Sequence, residues 1–254
     1  MIFETHAHYD DKAFNEDRDK LLCSMQDNGI EYIVNVGSSL DTSKQTIELV
    51  KKYDFMYGAV GVHPSETAEL NYDNFRLIRE MLQEEKIVAL GEIGLDYYWD
   101  EPDRDIQKIW FERQIYLAKE ENKPIIYHSR DAAKDTLEII KSTKAADVGG
   151  VIHCFSYGVE MAREYLNMGY YIGVGGVGTF KNAKKLKDVV EYVPLENILL
   201  ETDCPYLSPE PYRGKRNDST RLVYVVDEIA RVKGVEPEKV IKVTRENAMK
   251  MYRI

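Results

Sequence analysis

Cysteine is scarce in this chain. Three residues (Cys23, Cys154 and Cys204) among 254 are too few and too odd in number for a disulfide framework. That excludes a stapled secreted scaffold and makes the reducing cytoplasm the expected compartment. Long apolar runs are also missing, since none approaches the roughly 18 residues that a membrane span needs. Glu4, Asp10 and Asp11 interrupt the N-terminus almost at once, so no secretory signal is expected there. Positive charge is in deficit: 34 Lys and Arg face 44 Asp and Glu, a net charge of −10. That argues against a broad basic face for duplex DNA. A nucleic acid held at a local metal centre is not excluded, because two divalent ions would make one site electropositive inside an acidic protein.

What is present is a soluble globular composition, 44% apolar and 31% charged, which argues against a disordered or fibrous chain. Short apolar runs alternate with longer amphipathic ones. The expected strands are 1–5, 32–35, 56–60, 87–91, 124–127, 150–152, 170–173 and 197–201. Helical periodicity fills the intervals, as at 106–121, where Asp103 or Asp105 is the expected cap. The tail reads as two further helices, 221–233 and 238–252, with Pro237 at the start of the second. Eight strands alternating with helices imply a parallel sheet closed into a (β/α)₈ TIM barrel, an α/β fold. An open doubly wound sheet is the rival. No linker, low-complexity stretch or repeat divides the chain, so a single domain over 1–254 with extra C-terminal helices is expected.

Histidine is rare as well, with five in the chain, yet all five fall at strand ends. His6 and His8 are separated by one residue, so on a strand both side chains face one way. His63 follows strand three, Glu92 strand four, His128 strand five, His153 strand six and Asp203 strand eight. A lone histidine after a strand is most often a satisfied structural residue, and His-x-His by itself is a weak pattern. Convergence of six such groups, His63 aside, on the C-terminal face of a barrel, where active sites of this fold are built, is what departs from chance. Four imidazoles and two carboxylates suit zinc, manganese, iron or nickel better than calcium; magnesium is a further admissible ion. The expected arrangement places one ion on His6, His8, Glu92 and Asp203. A second takes Glu92, His128 and His153, with Glu92 as the bridge. Two such ions steady both the attacking and the leaving oxygen of a displacement, and Asp203 is placed to take a proton from water.

The segments HAH, GVHP, GEIGLDYY, HSRDA, HCFS and ETDCPYL, followed by RGKRND, span residues 6–218. In order and spacing they closely resemble the TatD-like family of metal-dependent deoxyribonucleases, within the metallo-dependent hydrolase superfamily. The resemblance implies a (β/α)₈ barrel, a divalent-metal hydrolase, and action on DNA ends with a preference for single strands. Its metal positions correspond to His6, His8, Glu92, His128, His153 and Asp203. One departure is Glu4, where the family usually has Asp two residues before the first histidine; a longer carboxylate behind the ligands would tune metal affinity. The family tail also often reads Glu-Pro where this chain has Asp218 and Ser219.

Substrate contacts are expected from His63, Tyr97, Arg130 and Arg213. Arginine forks onto phosphate, and Tyr97 or Tyr98 offers a face to a base. Arg213, Lys215 and Arg216 form a dense basic cluster after strand eight; pairing with Glu210 and Asp218 is its alternative role. Glu4 and Glu201 are expected behind the ligands, and Cys154 and Cys204 on the opposite strand face as packing residues.

The activity expected is a phosphodiesterase removing nucleotides from the 3′ end of single-stranded DNA (3′–5′ exonuclease) by two-metal activation of water. DNA ends are the expected partner, RNA the alternative polymer, with no membrane and no obligate protein partner. One rival is hydrolysis of another ester or amide: a D-aminoacyl-tRNA, a phosphotriester, a lactone or a small amide. Lysine-bridged barrels carry a carboxylated Lys after strand four, but here Lys86 precedes that strand and Glu92 follows it. The other rival is a metal-binding scaffold that has lost catalysis, which predicts a missing ligand.

Overall fold

The computed structural model describes residues 1–99 and 101–254. Eight parallel strands form one sheet in the order of the chain. They are β1 (Ile2–Ala7), β2 (Ile30–Val36), β3 (Met56–Val60) and β4 (Ile87–Asp96), then β5 (Ile125–Arg130), β6 (Gly150–Ile152), β7 (Tyr171–Val174) and β8 (Ile198–Leu200). The intervening helices are α1 (Arg18–Cys23), α2 (Leu40–Lys52), α3 (Tyr72–Met81), α4 (Arg104–Glu120), α5 (Ala133–Ser142), α6 (Val159–Asn167) and α7 (Lys184–Tyr192). After β8 come α8 (Leu222–Lys233) and α9 (Pro237–Tyr252). This is the (β/α)₈ barrel. β1 meets the segment after β8 through Asp203 N to His6 O (3.0 Å) and His8 N to Cys204 O (2.9 Å), so the seam closes at the candidate ligands themselves.

Strand alternation explains the two apolar layers. Ile125 and Tyr127 pack into the helical layer, whereas Ile126 joins a separate cluster with Phe3, Val34, Val151 and Leu199. Ala248, Met251 and Tyr252 of α9 belong to that second cluster, so α9 covers the end of the barrel away from the ligands. The Tyr252 hydroxyl donates to Thr5 O at 2.8 Å. Asp103, one of the two expected caps of α4, accepts the Asp105 N–H.

All eight expected strands are present, but three run at least two residues past their expected ends. β1 continues to Ala7, β4 to Asp96 and β5 to Arg130, so His6, Glu92 and His128 sit inside strands rather than after them. The glycines of GEIGLD read as a strand end in sequence. Here they serve close approach: a Cβ on Gly91 would lie 2.6 Å from Ile126 Cβ, and one on Gly94 1.8 Å from His128 O. Both allow β4 to run tight against β5, pairing Gly94 with His128 and Asp96 with Arg130. No helix among the described residues is long and apolar enough to cross a membrane.

Candidate metal centre

The ligand candidates converge at one end of the barrel, at the floor of a cleft of about 1260 Å³. His6 is buried beneath it and His8, one step outward, lines its wall. Their Nε2 atoms are 3.1 Å apart. His8 is aimed by its other nitrogen, Nδ1, which lies 2.7 Å from Val36 O. Asp203 presents Oδ1 at 3.3 Å from His8 Nε2 and 3.8 Å from His6 Nε2. These three residues form one group able to hold a metal ion.

Glu92 lies between this group and the rest. Its Oε2 is 3.5 Å from His6 Nε2 and 3.9 Å from His8 Nε2. Its Oε1 is 2.7 Å from His128 Nδ1, 3.8 Å from His153 Nε2 and 4.0 Å from His63 Nε2. A second group able to bind an ion is His63, Glu92 and His128. His63 thus joins the expected pair of Glu92 and His128, while the expected His153 also reaches the same Glu92 oxygen at 3.8 Å. His153 stacks on His6 as well, with ring centroids 3.5 Å apart and nearly parallel planes, and forms a third group with His6 and Glu201.

The donors fit a metal. Burial by itself would raise the Glu92 carboxyl, but the adjoining His153, His128 and His6 hold it well below the usual carboxylate range. The same field acts in reverse on the rings. Burial opposes charge on His153 and His8, yet Glu201, Glu92 and Asp203 push His153 up to about 10, and Asp203 pushes His8 up to about 9. Carboxylates that hold protons on buried imidazoles attract a cation to the same atoms, and metal binding displaces those protons. His6 Nδ1 is buried without a hydrogen-bond partner among the described residues.

Around the ligands stands a layer of carboxylates. Glu201 Oε2 lies 3.1 Å from His153 Nδ1, and its Oε1 accepts the Cys154 N–H. Glu4 works differently from a carboxylate that orients an imidazole. It accepts from His6 N, Thr202 N and Thr202 Oγ1, joining β1 to the segment after β8; burial pushes its carboxyl up to about 8.

Asp96 had no role in the sequence reading, although it lies within GEIGLDYY. Its Oδ2 is 3.1 Å from His128 Nε2, and its Oδ1 accepts from Tyr98 N and Trp99 N. Positions 92, 94 and 96 share one strand face, which would have revealed Asp96 had β4 been taken beyond Gly91. Asp10 was also missed. It lines the cleft and accepts from Asn35 Nδ2, whose side chain points toward α2 to reach Thr46.

The expected substrate contacts separate into two sets. His63 and Arg130 line the cleft. Burial and the nearby His128 hold His63 down to about 3, and its Nδ1 accepts the Ser65 N–H, so the neutral ring carries its proton on Nε2, facing Glu92. Tyr97 and Arg213 are not in the cleft wall. The Tyr97 hydroxyl donates to Asp135 and its ring packs under Arg104 (4.2 Å), in the turn just past β4 and away from the cleft that Asp96 lines. Arg213 lies over the Phe180 ring at 4.4 Å. In the same basic cluster Arg216 pairs with Asp17. Cys204 is buried packing, as expected. Cys154 is not: at φ 43° it leaves regular strand geometry, so alternation stops and the residue lines the cleft.

Comparison with known proteins matches the chain along its whole length. The family model for TatD related DNase matches residues 3–253. An uncharacterized metal-dependent hydrolase of Bacillus subtilis (strain 168), YabD, is 43% identical over 254 residues, covering all of both chains. YcfH of Escherichia coli (strain K12), also an uncharacterized metal-dependent hydrolase, is 37% identical over all of this chain and 96% of its own. Among solved structures, the TatD homolog YjjV of Escherichia coli K12 superposes with a TM-score of 0.94 at 27% identity, covering 100% of this chain and 98% of its own. A TatD family hydrolase from Entamoeba histolytica gives 0.89 at 25% identity, covering 99% and 97%. The chain thus belongs to the TatD related DNase family and is a metal-dependent hydrolase.

Proposed function

We propose that this hydrolase cleaves phosphodiester bonds of single-stranded DNA, releasing nucleotides from the 3′ end. The observation that carries the reading is Glu92, whose two oxygens face two separate donor groups, Oε2 toward His6 and His8 and Oε1 toward His128 and His63. Divalent ions held there would supply the Lewis acidity that acidifies water and draws charge from a phosphoryl oxygen. Asp203, with its carboxylate part-exposed at the cleft floor, is placed to take the proton from the attacking water. The Arg130 guanidinium, in the cleft wall, offers donors to the non-bridging oxygens of the phosphate.

Two features favour a polymer substrate and a carboxylate bridge. A cleft of about 1260 Å³ exceeds what a drug-sized ligand fills, roughly 300–1,000 Å³. Lys86 donates to the carbonyls of Val50, Tyr53 and Asp54 at the far end of β4, away from any bridging position. The test is a panel of single-stranded DNA, RNA, D-aminoacyl-tRNA and a lactone offered to protein reconstituted with magnesium, manganese or zinc. Turnover of DNA well above the others supports the reading. Fast hydrolysis of the aminoacyl ester or the lactone with none of DNA rejects it.

A further inference from the structure

Trp99 lines the cleft, and it and its neighbour Tyr98 have 66% and 55% of their surfaces exposed. The second tryptophan, Trp110, is 8% exposed and packs against Phe75, as a large ring in a folded protein ordinarily does. An indole held in water is unfavourable unless something covers it. Trp99 is also held in place. Its N–H and that of Tyr98 are both accepted by Asp96 Oδ1, at 3.4 and 2.9 Å, while the other oxygen of Asp96 faces His128. One carboxylate therefore fixes the aromatic pair at a set position relative to the metal centre. The two rings are perpendicular, with centroids 5.1 Å apart. Arg130 lies over Tyr98, with Cζ 3.8 Å from the ring centre, so one aromatic face is taken and a cation is added beside the other ring.

We propose that Trp99, backed by Tyr98 and Arg130, stacks a nucleobase of the bound strand while its phosphate lies over Glu92. This rests on the nucleic-acid reading above and adds the part of the substrate that the metal centre does not touch. A flat π-face binds any base, and a neighbouring guanidinium binds the adjoining phosphate, the pairing that single-strand binding sites use. The shelf makes the base a determinant of affinity, where the ligand cluster alone would read only phosphate.

The experiment measures binding in an Asp203→Asn background, so that the strand is not consumed. Oligothymidylate and an abasic strand of equal length are titrated while tryptophan fluorescence is followed. The expected result is quenching by oligothymidylate and about tenfold tighter binding than the abasic strand. Adding Trp99→Ala removes both, whereas Trp99→Phe keeps the preference and Trp110 fluorescence reports the intact fold. Equal affinity for the two strands, or a preference that survives Trp99→Ala, overturns the shelf. Hydrolysis is a separate readout on the metal-loaded wild type. Base-dependent binding without DNA hydrolysis rejects the proposed activity and leaves the shelf. Hydrolysis without base preference does the reverse.

Discussion

Asp96 and His128 are joined carboxylate to imidazole, Oδ2 to Nε2 at 3.1 Å, which turns the other nitrogen of the ring, Nδ1, toward Glu92. A histidine that donates from one nitrogen to a carboxylate is fixed in tautomer and orientation, and its second nitrogen becomes a better metal ligand. Glu201 Oε2 faces His153 Nδ1 at 3.1 Å as an ion pair, without hydrogen-bond geometry.

Asp96→Asn is expected to weaken metal binding and turnover by about 10–100-fold with the fold retained. The amide keeps an acceptor for the backbone of Tyr98 and Trp99 but loses the charge opposite His128. Calorimetric titration of the chelated protein with manganese, beside a thermal melt, checks this. Wild-type affinity in the variant would show that Asp96 serves the aromatic loop alone.

Glu201→Gln is expected to act on the other side of the centre, with a similar loss of about 10–100-fold in metal affinity. His153 would lose the carboxylate behind it, and the Cys154 N–H would still find an acceptor. An unchanged metal content after dialysis against limiting metal would argue against that role.

Gly94→Ala tests the close approach of β4 and β5. At φ 152°, with a Cβ 1.8 Å from His128 O, alanine has no place unless the strands part. A loss of more than about 3 kcal/mol, or failure to fold, is expected in chemical denaturation. A variant within 1 kcal/mol or so of wild type would contradict the packing described.

Stability at low pH should report Glu228, which binds Arg231 at 2.8 Å and Lys187 at 2.9 Å. Those partners, Arg231 first, hold its carboxyl at about 2, below the ordinary value of 4.5. A depressed acid contributes stability in full above its unfolded value and loses it as pH falls through the folded one. Glu228→Gln should therefore cost up to about 1 kcal/mol at pH 7, with the difference fading between pH 4.5 and 2. A constant gap across that window would assign the effect to packing.

Much of the architecture was legible because strand and helix periods alternate so regularly, and because polar groups at strand ends are costly unless they serve a site. His6, His8, Glu92 and Asp203 come together as their spacing implied, since parity along a strand fixes the face. Other assignments depended on where strands stop and on contacts that sequence distance hides. Gly91 and Gly94 look like breakers but are what lets β4 continue to Asp96, so Asp96 and Trp99 went unassigned although Tyr98 between them was expected to face a base. Tyr97, in the turn just past β4, lies away from the cleft. The approach of His63 to Glu92, and the turning of His153 toward His6, are tertiary facts with no local signal.

The most direct test of the account follows 3′-nucleotide release from end-labelled single-stranded DNA by the metal-loaded protein, beside a chelated sample and Glu92→Ala. The account predicts stepwise release that needs metal and falls by at least about a hundredfold in the variant. Release that Glu92→Ala leaves at the wild-type rate would contradict the central role given to that carboxylate. No release from protein shown to hold its metal would contradict the assignment of DNA.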